Sequence, residues 1–279
     1  MSNLSDIKRR LTTVKQTRQI TGAMQTVSVA KMRKATETAE RSQAYLTLIT
    51  DIMRTAVMSD CGIDAPTLGK DVLLVIFSDK GLCGGFNNAI FAAAKKMIAD
   101  STLIMPIGQT ALNYFKGAGN VDYRFVKFGC ADMSGAKEIS DFLLNGYGND
   151  IKSISVVYAA FDSQACPVSE RLLPLELTKN DDGNNETMFE PSSKSVMDAL
   201  VPLYLSGKIY GAICSSIAAE HSARHSAMST ATESADELIL RLTSEYNRER
   251  QTAVTGQIVE IAGATSALSR KGAGSEKRF

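Results

Sequence analysis

The chain has 279 residues, 44% of them apolar and 22% charged, with a formal net charge of +1. That balance suits one or two well-filled domains and disfavours a chain that coats nucleic acid. No apolar stretch approaches the roughly 20 residues that cross a bilayer, and MSNLSDIKRR has no apolar block of a secretory signal. Asp6 argues against a transit peptide. The five cysteines (Cys61, Cys83, Cys130, Cys166, Cys214) are odd in number and lack CxxC spacing, so they read as reduced packing residues of a cytosolic protein.

From Met1 to Ser59 there is no proline and a single glycine, Gly22. Leu4, Ile7, Leu11 and Val14 follow the 3–4–3 spacing of a helix that packs on another helix. After Arg18 the seam looks diluted, with Ile20, Met24 and Val27 offset from the first register. It recovers at Tyr45, Leu48, Ile49, Ile52 and Ala56. Residues 1–35 carry eight basic side chains (Lys8, Arg9, Arg10, Lys15, Arg18, Lys31, Arg33, Lys34) against Asp6 alone, whereas 61–204 carry 12 basic and 17 acidic ones. A one-sided basic helix points either to an acidic partner or to a solvated face.

The middle has another grammar. Val72–Phe77 is a continuous apolar run of strand length, as in a strand buried on both faces. A glycine-rich turn, Ser78–Asn87, leads to a helix over Ala89–Ala99. Leu103–Ile107 then reads as strand, Gln109–Lys116 as helix and Val121–Phe128 as strand. Ser134–Tyr147 reads as helix, and Ile154–Phe161 and Arg171–Leu177 as strands. Such alternation predicts a small open α/β sheet with helices on its faces, Rossmann-like in arrangement. Thr178–Glu186 reads as a polar loop or hairpin tip.

Ser192–Ser195 is a plausible N-cap for a long C-terminal helix, with Pro202 and Gly207 expected to kink or interrupt its first turns. From Ala212 to Thr255 there is neither glycine nor proline, enough for a helix roughly 65 Å long, about twice the width of a compact domain. Ile213, Ile217, Ala227, Ala231, Leu238 and Leu242 share a stripe that Val254, Ile258, Ile261 and Leu268 resume. Small residues at Ala223, Ala227, Ala231 and Ala235 would admit a partner helix closely. The expected architecture is a long antiparallel coiled coil of helices 1–60 and 193–279, imperfect and stuttering, carrying an α/β domain over 70–192.

Each chemical motif has a plainer reading beside it. SDKGLCGGFNN (Ser78–Asn88) sits where α/β folds often bind phosphate, yet it matches neither GxGxxG nor GxxxxGK[ST]. Glycines that permit φ > 0 in a tight turn account for it more simply. His221 and His225 lie four apart, but Ser222 stands where a metalloprotease needs Glu, and no third ligand is near. Cys83 and Cys166 have no histidine in a nucleophile motif, and Asn185–Thr187 is a sequon without meaning in a cytosolic chain. No catalytic constellation, cofactor site or metal site is expected.

Three segments together resemble the gamma subunit of F-type ATP synthases. They are Ser78–Asn87; Asp6–Arg10 through Thr21-Gly22-Ala23-Met24 to Ala30–Lys34; and Ala219–Met228 with Ala231-Thr232. The likeness runs through essentially the whole chain in order, with Lys80 where that family usually has Arg, His225 where it has Met, and Ser234 where it often has Asn. The resemblance implies a non-catalytic central-stalk rotor that transmits torque between an ion-driven c-ring and a ring of alpha and beta subunits, beside an epsilon subunit. It also implies a peripheral place on the cytoplasmic face of a bacterial inner membrane. Arg9, Arg10, Lys31, Arg33 and Lys34, with Met24, would then meet the alpha/beta ring. Val254, Ile258, Ile261 and Leu268 would turn in an apolar collar, and Tyr204, Leu205, Lys208 and Tyr210 would face the c-ring or epsilon. The rivals are an α/β enzyme with a helical dimerisation arm and a basic coiled-coil nucleic-acid binder.

Overall fold

A computed structural model describes residues 4–58, 69–127, 132–161, 166–175, 190 and 192–275, with side chains at 54, 56–58, 193 and 267–275 excepted. The hairpin tip Thr178–Glu186, the sequon, Cys61, Cys130, Phe128, Leu177 and the side chains of Ala56 and Leu268 therefore lie outside the described residues. The elements are α1 (Leu4–Met58), β1 (Lys70–Ile76), α2 (Phe86–Lys95), β2 (Leu103–Ile107), α3 (Ala111–Tyr114), α4 (Met133–Gly146), β3 (Ile151–Ala159), β4 (Pro167–Leu173) and α5 (Ser193–Ser275). The chain divides into two compact units, Met1–Met24 with Met228–Phe279, and Gln25–Ala227. The division falls inside the two long helices, not where helix meets sheet.

In the larger unit a four-stranded sheet runs β2-β1-β3-β4. β1 is parallel to both neighbours, with Val72 opposite Leu103 and Ile154, and β4 is antiparallel to β3. Alternate side chains of β1 feed two cores, as the period of two requires. Val72, Leu74 and Ile76 pack with Ile139 and Leu143 of α4 and with Leu205, Ile209 and Ile213 of α5. Leu73, Val75 and Phe77 pack with Phe86, Ile90 and Ala94 of α2 and with Phe115. α5 thus supplies part of the layer on one sheet face, and the α/β module is incomplete without it. Gly108, after β2, holds φ +99°, and a Cβ there would lie 2.3 Å from the Phe77 carbonyl oxygen, so only glycine fits.

Several expected elements shift. Of the strand expected over Val121–Phe128, the described residues 121–127 form none: Val121 makes one isolated bridge to Ile104, and 124–127 form a turn. The helix expected over Gln109–Lys116 shortens to α3. α5 runs unbroken through Pro202 and Gly207, because Met197, Tyr204, Leu205 and Ile209 are buried and their packing outweighs the lost backbone bond. The Ser192 cap holds as expected, its Oγ accepting from Ser195 N at 3.2 Å. α5 also contains an 18-residue window of mean hydropathy 1.2, apolar and long enough to cross a bilayer by composition, contrary to expectation; half of it is buried within the protein, as in a core helix.

The two long helices run antiparallel within each unit. In the smaller one, Arg18 Nε bonds Asp236 Oδ1 at 3.0 Å and Thr232 Oγ1 donates to Thr21 Oγ1 at 2.8 Å. In the larger one, Leu46 and Ser42 pack on Gly207 and Gly211, where an added Cβ would lie 3.0 Å and 2.9 Å from the Leu46 methyls. These glycines give α1 room to approach; they do not break α5.

The α1 seam differs from the one expected. Ile20, Val27, Tyr45, Leu48 and Ile52 are exposed, whereas Ile7, Thr21, Ser28, Ser42, Leu46, Ile49 and Met53 are buried. With half-buried Leu4, Leu11, Val14, Gln25, Met32, Ala35 and Ala39, these positions alternate steps of three and four along the helix, apart from one step of seven from Val14 to Thr21 past exposed Arg18. The register does not drift; its middle is written in small and polar residues.

Candidate functional site

Ser78–Asn87 joins β1 to α2, and its geometry is fixed from inside. Asn87 Nδ2 donates to Ser78 Oγ at 2.7 Å, Ser78 N donates to Asn87 Oδ1 at 3.1 Å, and Thr110 Oγ1 donates to Ser78 O at 2.5 Å. Ser78 is fully buried, so this network meets polar demand that no water reaches. Positive φ falls on Gly84 (58°) and on Leu82 (64°), not on all the glycines; Gly85 has φ −82°. Leu82 therefore holds a left-handed conformation unusual for a branched side chain, and it is 63% exposed.

The same loop is fastened to α5. Arg224 Nη2 donates to Glu220 Oε1 at 2.6 Å, to Lys80 O at 2.9 Å and to Gly81 O at 3.1 Å, while Nε reaches Gly81 O at 3.4 Å. Arg224 Nη1 lies 3.1 Å from His221 Nδ1, which must accept, placing the neutral imidazole's proton on Nε2. Both members of the ion pair are buried, with side chains 7% and 11% exposed. Burial pushes the Glu220 carboxyl up, opposed by Arg224. Burial, then Arg224 and Lys31, push the His221 imidazole down to about 4. Ala219 joins the α2-side core with Ala223 packed against it, and a Cβ on Gly84 would touch Ala227 at 3.7 Å. Ala223 and Ala227 thus face this loop and its core, where the sequence suggested a partner helix. Further along the sheet's C-terminal edge, Ser215 Oγ accepts from Phe161 N at 2.8 Å and donates to Ala159 O at 3.3 Å. Helix α5 is thus bonded both to the carbonyls of the loop after β1 and to the end of β3.

The basic side chains of α1 are on the surface. Arg9, Arg10, Lys15, Lys31, Arg33 and Lys34 are all exposed, Arg9 near Asp6 at 3.8 Å and Arg33 near Glu37 at 3.7 Å. Exposed pairs of this length hold such side chains weakly. Met24 is half-buried. On α5, Val254 (49%), Ile258 (60%) and Ile261 (68%) are exposed, and every residue from 251 to 266 is exposed. The foot candidates fare differently. Leu205 is fully buried in the sheet-facing core and Tyr204 is 6% exposed, so both side chains pack chiefly within the chain. Lys208 is drawn to Glu170 at 2.5 Å and Tyr210 is half-buried. The residue that sequence reasoning passed over is Arg224; its signal was the i, i+4 spacing from Glu220 on a helix.

A family model described as ATP synthase matches residues 3–268. The ATP synthase gamma chain of Desulforamulus reducens is 34% identical over 282 residues, covering 96% of this chain and 100% of its own length. The chain belongs to the ATP synthase gamma-chain family. The gamma chain of Streptococcus thermophilus is likewise 34% identical, over 291 residues covering 95% of this chain and 99% of its own. Among solved structures, a chain of the Euglena gracilis mitochondrial ATP synthase (OSCP/F1/c-ring, rotational state 3) aligns with TM-score 0.70 at 17% identity, covering 99% of this chain and 98% of that one. A chain of the Tetrahymena thermophila mitochondrial ATP synthase central stalk and c-ring gives 0.56 at 21%, covering 76% and 99%. At those identities the structural likeness establishes a shared fold, and family membership rests on the sequence matches.

Proposed function

We propose that this chain is the central-stalk subunit of an F-type ATP synthase. It turns with a membrane c-ring, beside an epsilon subunit, and forces the catalytic sites of an alpha/beta ring through their cycle. The observation that carries the reading is the end-to-end match to gamma chains, 96% of this chain against 100% of a relative. The helices suit a torque-bearing part, since α1 and α5 pair antiparallel in both units and α5 is also built into the sheet core. Torque applied to the α/β module therefore enters a helix that cannot slip out of it.

The ring contacts belong to the same proposal. Exposed Arg9, Arg10, Lys31, Arg33 and Lys34 meet acidic loops, since long-range charge attraction tolerates sliding better than interlocked packing does. Exposed Val254, Ile258 and Ile261, with Leu268, turn in an apolar collar that offers few directional bonds. Chemistry lies in the partner subunits, and this chain's place is peripheral, at the cytoplasmic face of a bacterial inner membrane. The enzyme rival requires a ligand at the Ser78–Asn87 loop, where Ser78, Lys80, Gly81 and Asn87 are already engaged with one another, Thr110 and Arg224.

Gentle extraction of native membranes, followed by pull-down on a tag carried by this chain, tests the assignment. Alpha, beta, epsilon and c subunits should co-purify with ATP hydrolysis activity. A clean monomer would overturn it. Thermal shift with nucleotides and phosphate addresses the enzyme rival, which requires stabilisation by one of them.

A further inference from the structure

We infer that Arg224 is a positioning residue that locks the Ser78–Asn87 loop to α5 and lets the joint bear shear, an inference that rests on the central-stalk reading above. Two kinds of contact hold the loop against the helix. Ala219 and Ala223 pack in the apolar core behind it, and such surfaces slide at small cost because dispersion has no preferred direction. Arg224 supplies the other kind. Its planar guanidinium aims at Lys80 O, Gly81 O and Glu220 Oε1, and hydrogen bonds weaken steeply when their angle is forced. Charge-assisted bonds are the stronger class, and Arg presents them in a rigid fork that Lys cannot copy.

The anchor points are the carbonyls four and five residues past the end of β1, one of the two central strands of the sheet. A sideways force on the sheet thus reaches α5 at residues 220–224 through bonds that resist displacement. Ala227, one turn further on, is the last residue of the larger unit. The clip also explains how Leu82 keeps a φ of 64° while exposed. The backbone before it is held by Arg224 at Lys80 and Gly81, and the backbone after it is set by Gly84 and the Asn87–Ser78 network, so the strained residue is over-determined by its neighbours.

The test uses the assembled enzyme in vesicles, comparing the unmodified chain with Arg224→Lys, Arg224→Gln and the charge-balanced double variant Glu220→Gln/Arg224→Gln. The double variant leaves no buried charge unpaired, so it remains informative where the single variant fails to fold. Hydrogen exchange in the complex should show amides 79–85 opening about tenfold more often in the Gln variants, with the rest of the sheet unchanged. ATP-driven ion transport against an opposing gradient should be lost while hydrolysis without a gradient is retained, and Arg224→Lys should recover part of the loaded transport. Unchanged loop exchange would overturn the clip, and faster exchange with full transport under load would overturn its mechanical role. No ion transport by the unmodified complex would instead count against the central-stalk reading, and the exchange arm would then judge the clip separately.

Discussion

His221 carries a pH signature because of where it sits. Burial, with Arg224 and Lys31 beside it, pushes the imidazole down to about 4, whereas an unfolded chain titrates it near 6.5. Between those values the unfolded state binds a proton that the folded state refuses, so His221 makes stability fall as pH drops from about 6.5 toward 4. Glu220 acts in the opposite sense. Burial raises its carboxyl, so its contribution is present at low pH and lost as pH rises through the raised value. The two slopes overlap, and only a comparison of variants separates them. His221→Gln should flatten the loss between pH 7 and 4 by about 1 kcal/mol, a figure reduced from the full shift because the ring is half-exposed. Denaturant titrations across that range check it; parallel curves for the two proteins would remove His221 as the cause. The spacing of Glu220, His221 and Arg224 was plain in the sequence. That Arg224 would close on the carbonyls of a loop about 140 positions earlier was not, because main-chain acceptors leave no residue-type signal.

Along α1, apolar periodicity misleads where the seam is polar. It follows Ile20 and Val27, but the buried positions there are Thr21, Ser28 and Ser42, with Thr21 bonded to Thr232 and Ser42 against Gly211. Side-chain volume decided the register there, not hydrophobicity. Ser42 stands out, since it is 5% exposed and its hydroxyl has no hydrogen-bond partner among the described residues. Ser42→Ala should therefore stabilise the chain by about 1 kcal/mol, from removal of an unsatisfied hydroxyl and a gain in helix propensity. A lower denaturation midpoint for Ser42→Ala would show that the hydroxyl has a role the packing conceals. The failure at Pro202 has the same origin, with buried Met197, Tyr204 and Leu205 overriding a local breaker. Leu103–Ile107 and the Ser192 cap were legible because each depends on a few adjacent residues.

As a subunit of an assembly, the chain should respond differently to damage on its two proposed ring-facing surfaces. Reversing Arg33 and Lys34 to Glu, with Lys31 beside His221 left in place, should leave folding intact because both are exposed, and should impair ATP-driven ion transport in the assembled enzyme. Normal coupling in that variant would remove the electrostatic contact. Deleting residues beyond Ala267 should be tolerated better than deleting 254–268, which also removes Val254, Ile258 and Ile261. Hydrolysis and transport assays on both deletions decide it, and equal damage would count against the apolar collar. Residues 251–266 are exposed throughout, so loss of 254–266 is not expected to disturb packing within the chain.

Family, the alternating α/β middle and the two long helices were all readable from linear order, since motifs, strand-length apolar runs and the absence of helix breakers are local properties. Tertiary structure alone decided that α5 completes the sheet core, that Gly207 and Gly211 admit α1, and that Leu205 and Tyr204 are interior. It also turned a phosphate-like loop into an anchored one through Arg224. Those outcomes depend on which surfaces meet across long sequence separations. Periodicity states that a face will be covered, and only the fold states by what.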